Sequence, residues 1–190
     1  WSRLQNRESW MNNARFEDFD LLQQGRITTF SVLGRNEPLL KDLRITRNMM
    51  RTSEVQALLS YSALARQHGQ LQTALCAATQ VNDLARDLEQ SGIFVDVAAK
   101  HEVASVMWDS QERTASVKML RDTLDKSEFE AQEIKVGRSG LLAQLGTQLA
   151  DARLEKPSDI LEHYLRPAIA HLPRNAVGKE AGKVYHAFAV

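Results

Sequence analysis

The stretch GLLAQLGTQLADARLEKPSDILEHYLRPAI, residues Gly140–Ile169, decides the fold of this chain. Its apolar residues recur every three to four positions, which is the period of an amphipathic α-helix. Lys156-Pro157 divides the pattern, and proline suits the first turn of a helix because an N–H has no helical partner there. The stretch therefore predicts a helical hairpin, with one helix over 141–154 and a second over 158–172.

Weaker copies of this hairpin precede it along the chain. Helical patterns alternate with turn signals, and the copies follow one another at a step of about 41 to 45 residues, near the range of HEAT repeats. The predicted turns lie at His68-Gly69, Gly92 and Gln111-Glu112. The sequence therefore predicts an all-α fold, an irregular α-solenoid of stacked antiparallel helical hairpins similar to tetratricopeptide or HEAT repeats.

The predicted organisation has two parts. Residues 1–52 are interpreted as N-terminal helices that continue from a missing upstream part, and residues 53–190 as degenerate hairpin repeats truncated at the C-terminus. Ser53 is the predicted N-cap that opens the second part. The chain starts at Trp1 without a methionine and ends at Val190 inside a helical pattern, so we expect an excerpt of a larger protein.

Several local expectations accompany this organisation. Residues 1–13 are interpreted as a helix end, and a helix is predicted over 18–33. The charged stretch 125–140 is interpreted as a flexible linker. Pro167 is expected to kink or shorten its helix, and Cys76 to be a buried small hydrophobe. Pro173 is expected to stop the last hairpin, and four aromatic residues are expected in the inter-helix core: Tyr61, Trp108, Tyr164 and Phe188.

Composition excludes several classes of partner. Lys plus Arg and Asp plus Glu number 24 each, so the net charge is zero and no dominant nucleic-acid footprint is expected. No apolar run approaches the roughly 18 residues that a membrane span needs. One basic run has near-helical spacing, and a solvated helix face is favoured over a nucleic-acid stripe because no aromatic platform accompanies it. That run is Lys41, Arg44, Arg47 and Arg51.

No residue pattern in the chain predicts catalysis, cofactor binding or metal binding. Among the five histidines only His163 and His171 share a predicted helix, and they lie two turns apart rather than at metal-ligand spacing. The run 178–183, GKEAGK, has the wrong glycine spacing for a phosphate-binding loop and lacks the Ser or Thr after the lysine. It is interpreted as a polar helix start, so catalytic, cofactor-binding and metal residues are all predicted to be absent.

Three stretches resemble the FAT region of phosphatidylinositol-3-kinase-related protein kinases. They are EVQALLSYSALARQHGQLQTAL (54–75), HEVASVMWDSQERTASVKMLRDTL (101–124), and the hairpin of 140–169 followed by GKVYHAFAV (182–190). The hairpin is the most specific, because it follows the family pattern G-x-W-L-A-x-x-x-x-E-x-P-x-x-I-x-x-x-Y-L. The positions that match are Gly146, Ala150, Glu155, Pro157, Ile160, Tyr164 and Leu165, whereas Gln148 takes the place of the tryptophan.

The resemblance is closest to the ataxia-telangiectasia-mutated (ATM) branch and its fungal telomere-length-regulating counterpart. It implies a giant nuclear serine/threonine kinase of the DNA double-strand-break response and telomere maintenance, which uses ATP and Mg. It also implies that this segment braces the parent's own kinase domain and neighbouring solenoid. By the same resemblance, the parent is expected to form a homodimer and to respond to the double-strand-break sensor complex.

Two alternatives remain open at the level of the sequence. A free-standing tetratricopeptide-like adaptor would use stacked hairpins to bind protein partners in its concave groove. The FAT region of a TOR or ATR branch kinase would share the packing positions quoted above. None of the matching residues is catalytic, so the resemblance identifies a scaffold rather than an active site.

Overall fold

The computed structural model of the chain describes residues 16–42, 44–172 and 176–189. Within these ranges the backbone is helical almost throughout, and the extended pairing consists of an isolated bridge between Phe94 and Gln132. The chain divides into two compact units, one ending at Leu84 and one beginning at Ala85. The predicted all-α fold of helical hairpins is confirmed, whereas the predictions for residues 1–13 and Pro173 lie outside the described residues.

The helices of the first unit pack α1 against α3, with the short α2 between them in the chain. They are α1 (Phe16–Arg35), α2 (Glu37–Asp42), α3 (Arg47–Gln67) and α4 (Leu71–Glu89), whose last residues belong to the second unit. The core is apolar and is centred on the fully buried Met50. The helix predicted over 18–33 is therefore confirmed as α1, and the predicted break at His68-Gly69 separates α3 from α4.

The start of α3 corrects one expectation, because Ser53 is not an N-cap. The helix begins two turns earlier, where the Thr46 hydroxyl accepts a hydrogen bond from the Met49 amide at 3.2 Å. Threonine caps helices nearly as well as serine, and burying Met50 in the core adds a driving force for the extra turns. Local cap chemistry alone does not choose between two such residues.

The predicted basic run does not form one helix face. Lys41 lies in α2, Arg44 lies in the following turn with a φ of +54°, and Arg47 and Arg51 lie in α3. Arg51 also pairs with the buried Glu54 at 2.8 Å. The turn therefore separates the four charges, so both the favoured solvated helix face and the alternative continuous basic stripe are wrong.

The position of Cys76 on α4 also differs from the expectation, because its side chain is exposed. The buried face of α4 in this unit carries small residues at helical spacing, namely Ala74, Ala77, Ala78 and Val81. Cys76 follows Ala74 by two positions, which places it about 200° around the helix and hence on the opposite face. An apolar run that covers both faces of a helix does not reveal which face is buried.

Gln23 is a buried side chain whose amide lacks hydrogen-bond partners. Its exposed fraction is 0%, and within the described residues neither its nitrogen nor its oxygen has a partner. Because an unsatisfied buried amide costs about 1 to 3 kcal/mol, Gln23→Leu is expected to raise the free energy of unfolding by about 1 kcal/mol or more. Urea unfolding measures the change, with the exposed Gln80→Leu on α4 as the near-neutral control. A destabilised Gln23→Leu would contradict this account.

The second unit packs several short helices around one central helix. Its elements are α5 (Asp96–Asp109), α6 (Arg113–Lys126), α7 (Arg138–Asp151), α8 (Pro157–Ile160), a π-helical turn (Leu161–Leu165), α9 (Arg166–Ala170) and α10 (Lys179–Ala189). α7 contacts α6, α8, α9, α10 and the π-helical turn. Its buried residues Leu141, Leu145 and Leu149 lie in the middle of the apolar core of this unit. The predicted turn at Gln111-Glu112 is confirmed between α5 and α6.

Residues 127–137 between α6 and α7, the tether segment, form most of the stretch 125–140 that was expected to be a flexible linker; the ends of that stretch are helical. Instead, buried Gln132 donates from its amide nitrogen to the Asp96 carboxylate at 2.7 Å and accepts from the Val97 amide at 3.2 Å. Burial raises the pKa of Asp96, but hydrogen bonds from Lys100, Gln132 and Ser127 outweigh it and hold that pKa below its usual value. The expectation was wrong because these bonds join residues far apart in sequence.

The four aromatic residues expected in the core have different environments. Tyr61 is buried and donates a hydrogen bond to Asp20; burial and that bond raise the pKa of Tyr61 to about 12. Trp108 and Tyr164 are partly buried and pack against the core of the second unit. Phe188 is 41% exposed, so its assignment to the core was wrong.

Among the described helices, none is long and apolar enough to cross a membrane.

Candidate functional site at the signature hairpin

The residues that carried the family pattern lie in one hairpin of the second unit, which we call the signature hairpin (Arg138–Ala170). Its first arm is α7, and its second arm is α8, the π-helical turn and α9. The structure places Gly146 and Ala150 in α7, Glu155 in the connection, Pro157 and Ile160 in α8, and Tyr164 and Leu165 in the π-helical turn. The predicted hairpin and the predicted place of Pro157 in the first turn are both confirmed.

Gly146 is the point where the two arms approach most closely. A Cβ atom built on Gly146 would lie 2.6 Å from Cδ2 and 3.1 Å from Cγ of Leu165, and 3.5 Å from Cβ of Tyr164. Real Cβ atoms essentially never approach another heavy atom within 3.0 Å. Glycine at this position therefore lets the second arm lie directly on α7, and the pattern residues Gly146, Tyr164 and Leu165 form one contact.

The second arm changes its helical winding just before Pro167. Proline lacks the N–H that a regular helix would donate to the carbonyl four residues earlier, and its ring clashes with that carbonyl. The π-helical turn Leu161–Leu165 precedes α9, in which Pro167 occupies the first turn. The backbone stays helical through Pro167, so this proline does not shorten the helix, and the kink stays a prediction. The change of winding occurs in the turn that carries Tyr164 and Leu165.

Arg121 of α6 connects two further pattern residues. Its guanidinium forms a salt bridge with the Glu155 carboxylate and lies 6.0 Å from the centre of the Tyr164 ring. Side-chain exposures of 41% for Arg121 and 28% for Glu155 leave the pair partly in solvent. A carboxylate at 155 and an aromatic ring at 164 thus both bind a cation from the neighbouring helix. Sequence reasoning missed Arg121 because it lies 34 residues before its partner.

Breaking this pair is expected to have a small and specific effect on stability. Partly exposed ion pairs contribute about 0.2 to 1 kcal/mol, so a double-mutant cycle of Arg121→Met and Glu155→Gln should give a coupling energy near the upper end of that range. Denaturant unfolding of the four proteins measures it. The same cycle on the exposed pair Asp122 and Lys126 serves as the control and should give a smaller coupling energy, because solvent screens that pair. A coupling energy no larger than that of the control would contradict the role given to Arg121.

Gln148 occupies the place where the family pattern has tryptophan, and it is 4% exposed. The Ser116 hydroxyl of α6 lies 2.7 Å from the Ala104 carbonyl oxygen of α5 and 3.1 Å from the amide oxygen of Gln148. The single hydroxyl hydrogen is shared between these two acceptor oxygens, with the shorter contact to Ala104, so Ser116 contacts α5 and α7 from α6. A buried polar bridge therefore stands where an aromatic side chain is expected in the family.

A cleft of about 290 Å³ opens beside the hairpin between α6, α7 and the second arm. His163 and His171 both line it, together with Arg121, Arg138 and Asp125. Within the described residues, no group of three or more His, Cys, Asp or Glu side chains is placed to hold a metal ion.

The GKEAGK run lies at the start of α10. Gly178 precedes the helix with a φ of +104°, and the helix begins at Lys179, so the predicted helix start is confirmed.

The whole chain, including the signature hairpin, is similar to segments of known protein kinases. The chain is 37% identical over 187 residues, 98% of its length, to the serine/threonine-protein kinase tel1 of Neurospora crassa. It is 33% identical over 188 residues, 99% of its length, to the serine/threonine-protein kinase TEL1 of Gibberella zeae. The chain matches a segment of the Tel1 kinases along its whole length. It spans 6% of each of these two relatives, and no protein-family model matches it.

Solved structures extend the match to three dimensions. The open conformation of CtTel1 matches 99% of this chain and 7% of that chain, with a TM-score of 0.90 at 33% identity. A structure described as the FAT and kinase domain of CtTel1 matches 96% of this chain and 13% of that chain, with a TM-score of 0.89 at 34% identity. The predicted resemblance to the FAT region of an ATM-branch kinase is confirmed.

These matches favour one of the alternatives left open by the sequence. The chain aligns along almost its whole length with 6% of each Tel1 kinase named above, which favours a segment of a large kinase over a free-standing tetratricopeptide-like adaptor. The ATM-like branch is likewise favoured over a TOR or ATR branch, because the Tel1 match continues over the whole chain.

Proposed function

We propose that this Tel1-like segment is a non-catalytic brace in a large serine/threonine protein kinase, and that it regulates a kinase domain outside the segment. The observation that carries the proposal is the signature hairpin. Its pattern residues pack one arm on the other and bind Arg121 of the adjacent helix, which is a packing role rather than a chemical one. A rigid packed hairpin transmits displacement because each unit of a repeat fold contacts mainly its neighbours.

The parent protein is proposed to phosphorylate proteins in the DNA double-strand-break response and in telomere maintenance, in the nucleus. Its kinase domain would bind ATP and Mg, and its partners would be a second copy of itself and the double-strand-break sensor complex. Solved CtTel1 structures support part of this, since one is a dimer with C2 symmetry and another joins FAT and kinase domains. The division into residues 1–52 and 53–190 stays a prediction.

Steady-state kinetics of the full-length protein test the brace. Gly146→Val, which forces the two arms apart, should change activated kcat by about threefold or more while leaving KM for ATP within about twofold. A change in kcat without a change in ATP binding is the signature of an effect on the active state rather than on the substrate site. Gly182→Ala in α10, where an added Cβ meets nothing within 4 Å, is the matched control. Unchanged kcat in a folded Gly146→Val protein would overturn the proposal.

A further inference from the structure

Ser127 ends α6 and begins the tether segment. Its backbone is extended, with φ −98° and ψ 143°, and its side chain is partly exposed. The hydroxyl donates to Oδ2 of Asp96 at 3.1 Å and accepts from Nζ of Lys100 at 3.3 Å. Glu128 and Glu130, both exposed, occupy the first and third positions after it.

We propose that Ser127 is a phosphorylation site for a serine kinase that selects acidic residues after the acceptor, and that the phosphate releases the tether segment from α5. Such a kinase recognises carboxylates at the first and third following positions with basic side chains, and an extended acceptor fits an open substrate groove. Ser127 supplies the extended backbone, and Glu128 and Glu130 supply the two carboxylates.

The covalent step transfers the terminal phosphoryl group of MgATP to Oγ of Ser127. The bond between the β-bridging oxygen and the terminal phosphorus breaks, a new P–O bond forms at Oγ, and ADP leaves. The hydroxyl proton passes to the base of the modifying kinase and then to water. No oxidant or further reactant is needed.

The electrostatic consequence follows from the contacts of the hydroxyl. Phosphoserine carries a charge of about −1.5 to −2 at pH 7, and its ester oxygen no longer donates a hydrogen bond. The donated bond to Asp96 is therefore replaced by repulsion between the phosphate and the carboxylate. Lys100 supplies one positive charge, which already pairs with Asp96 at 2.7 Å. We expect the repulsion to outweigh this attraction, because Glu128, the next residue in the chain, adds further negative charge.

Asp96 is also the acceptor that orients Gln132, so its displacement affects the whole tether segment. The Gln132 amide nitrogen donates to Asp96, and its amide oxygen accepts from the backbone N–H of Val97. The Glu133 amide donates to the Phe94 carbonyl at 2.8 Å. Moving the carboxylate loosens all three bonds, so the tether segment and the start of α5 should open together.

Ser158 offers an internal comparison for the recognition step. It is more exposed than Ser127 and is likewise followed at once by an acid, Asp159. The third following residue is Leu161, where Ser127 has Glu130. If the acid at the third position decides recognition, Ser127 is modified and Ser158 is not.

The experiment treats the full-length protein with casein kinase II and MgATP, and maps phosphate by mass spectrometry. We expect phosphate on Ser127, none on Ser158, at least a tenfold slower modification in Glu130→Gln, and loss of the modified peptide in Ser127→Ala. Hydrogen exchange is then compared before and after modification. Backbone amides of Val97 and Glu133 should exchange about tenfold faster in the phosphorylated protein.

Two results would overturn the proposal. Absence of phosphate on Ser127 while other sites of the protein are modified would reject the site. Phosphorylated Ser127 with unchanged or slower exchange at Val97 and Glu133 would reject the release of the tether segment. Both readouts are independent of the activity of the parent protein, so they do not depend on the proposed brace.

Discussion

Replacing Gly146 by valine is expected to lower the free energy of unfolding by about 3 kcal/mol, at the upper end of the range for overpacking a well-packed core. The first added carbon already lies 2.6 Å from Cδ2 of Leu165, and valine adds two more that a fixed backbone cannot accommodate. Leu165 can rotate away, but it is partly buried against the core of the second unit, so it loses packing when it moves. Denaturant unfolding of the purified chain measures the loss.

Two further variants make this prediction specific. Gly146→Ala should cost less than Gly146→Val, because its single added carbon displaces only the end of the Leu165 side chain and gains helix propensity. Gly182→Ala should be neutral or stabilising by up to about 1 kcal/mol, since alanine favours helices over glycine and its Cβ meets open space. Equal stability of Gly146→Val and the natural protein would show that the two arms do not need the close contact.

Truncating Leu149 to alanine should cost about 3 kcal/mol, within the range found for buried leucines. Leu149 has an exposed fraction of 0% and lies on α7, the central helix of the second unit, so little can collapse into the space it leaves. The matched control is Leu154→Ala in the connection of the same hairpin. Leu154 is 47% exposed, and its truncation should change the free energy of unfolding by less than about 0.5 kcal/mol.

Unfolding curves for the two leucine variants give the comparison directly. A Leu149→Ala protein as stable as Leu154→Ala would contradict the central place of α7 in the core. A cost well above 5 kcal/mol would imply that the loss of one side chain unfolds the hairpin as a unit.

The hairpin was predictable because its signals are local. Apolar periodicity predicts α7, and Pro157 predicts the start of α8. Each of these signals acts within a turn or two of its residue. The close contact at Gly146 was implicit in the family pattern, but its partner Leu165 was visible only in the structure. Family assignment succeeded for the same reason, since the pattern consists of packing positions within one hairpin.

The missed features depend on distant residues. Gln132 binds Val97, which lies 35 residues earlier, and Arg121 binds Glu155, which lies 34 residues later. No spacing rule links such pairs, so a stretch rich in charge was mistaken for a flexible linker. The predicted burial of Cys76 and Phe188 was wrong for a different reason. An apolar residue in a helical run does not indicate which face of the helix the rest of the protein covers.

The bracing role proposed for the segment is tested most directly by hydrogen exchange on the full-length protein, comparing Gly146→Val with Gly182→Ala. If the signature hairpin braces the kinase domain, Gly146→Val should accelerate exchange both in residues 138–170 and in backbone amides of the kinase domain, while Gly182→Ala leaves both unchanged. Faster exchange confined to the hairpin, with the kinase domain indistinguishable from the natural protein, would contradict the role of this segment as a brace.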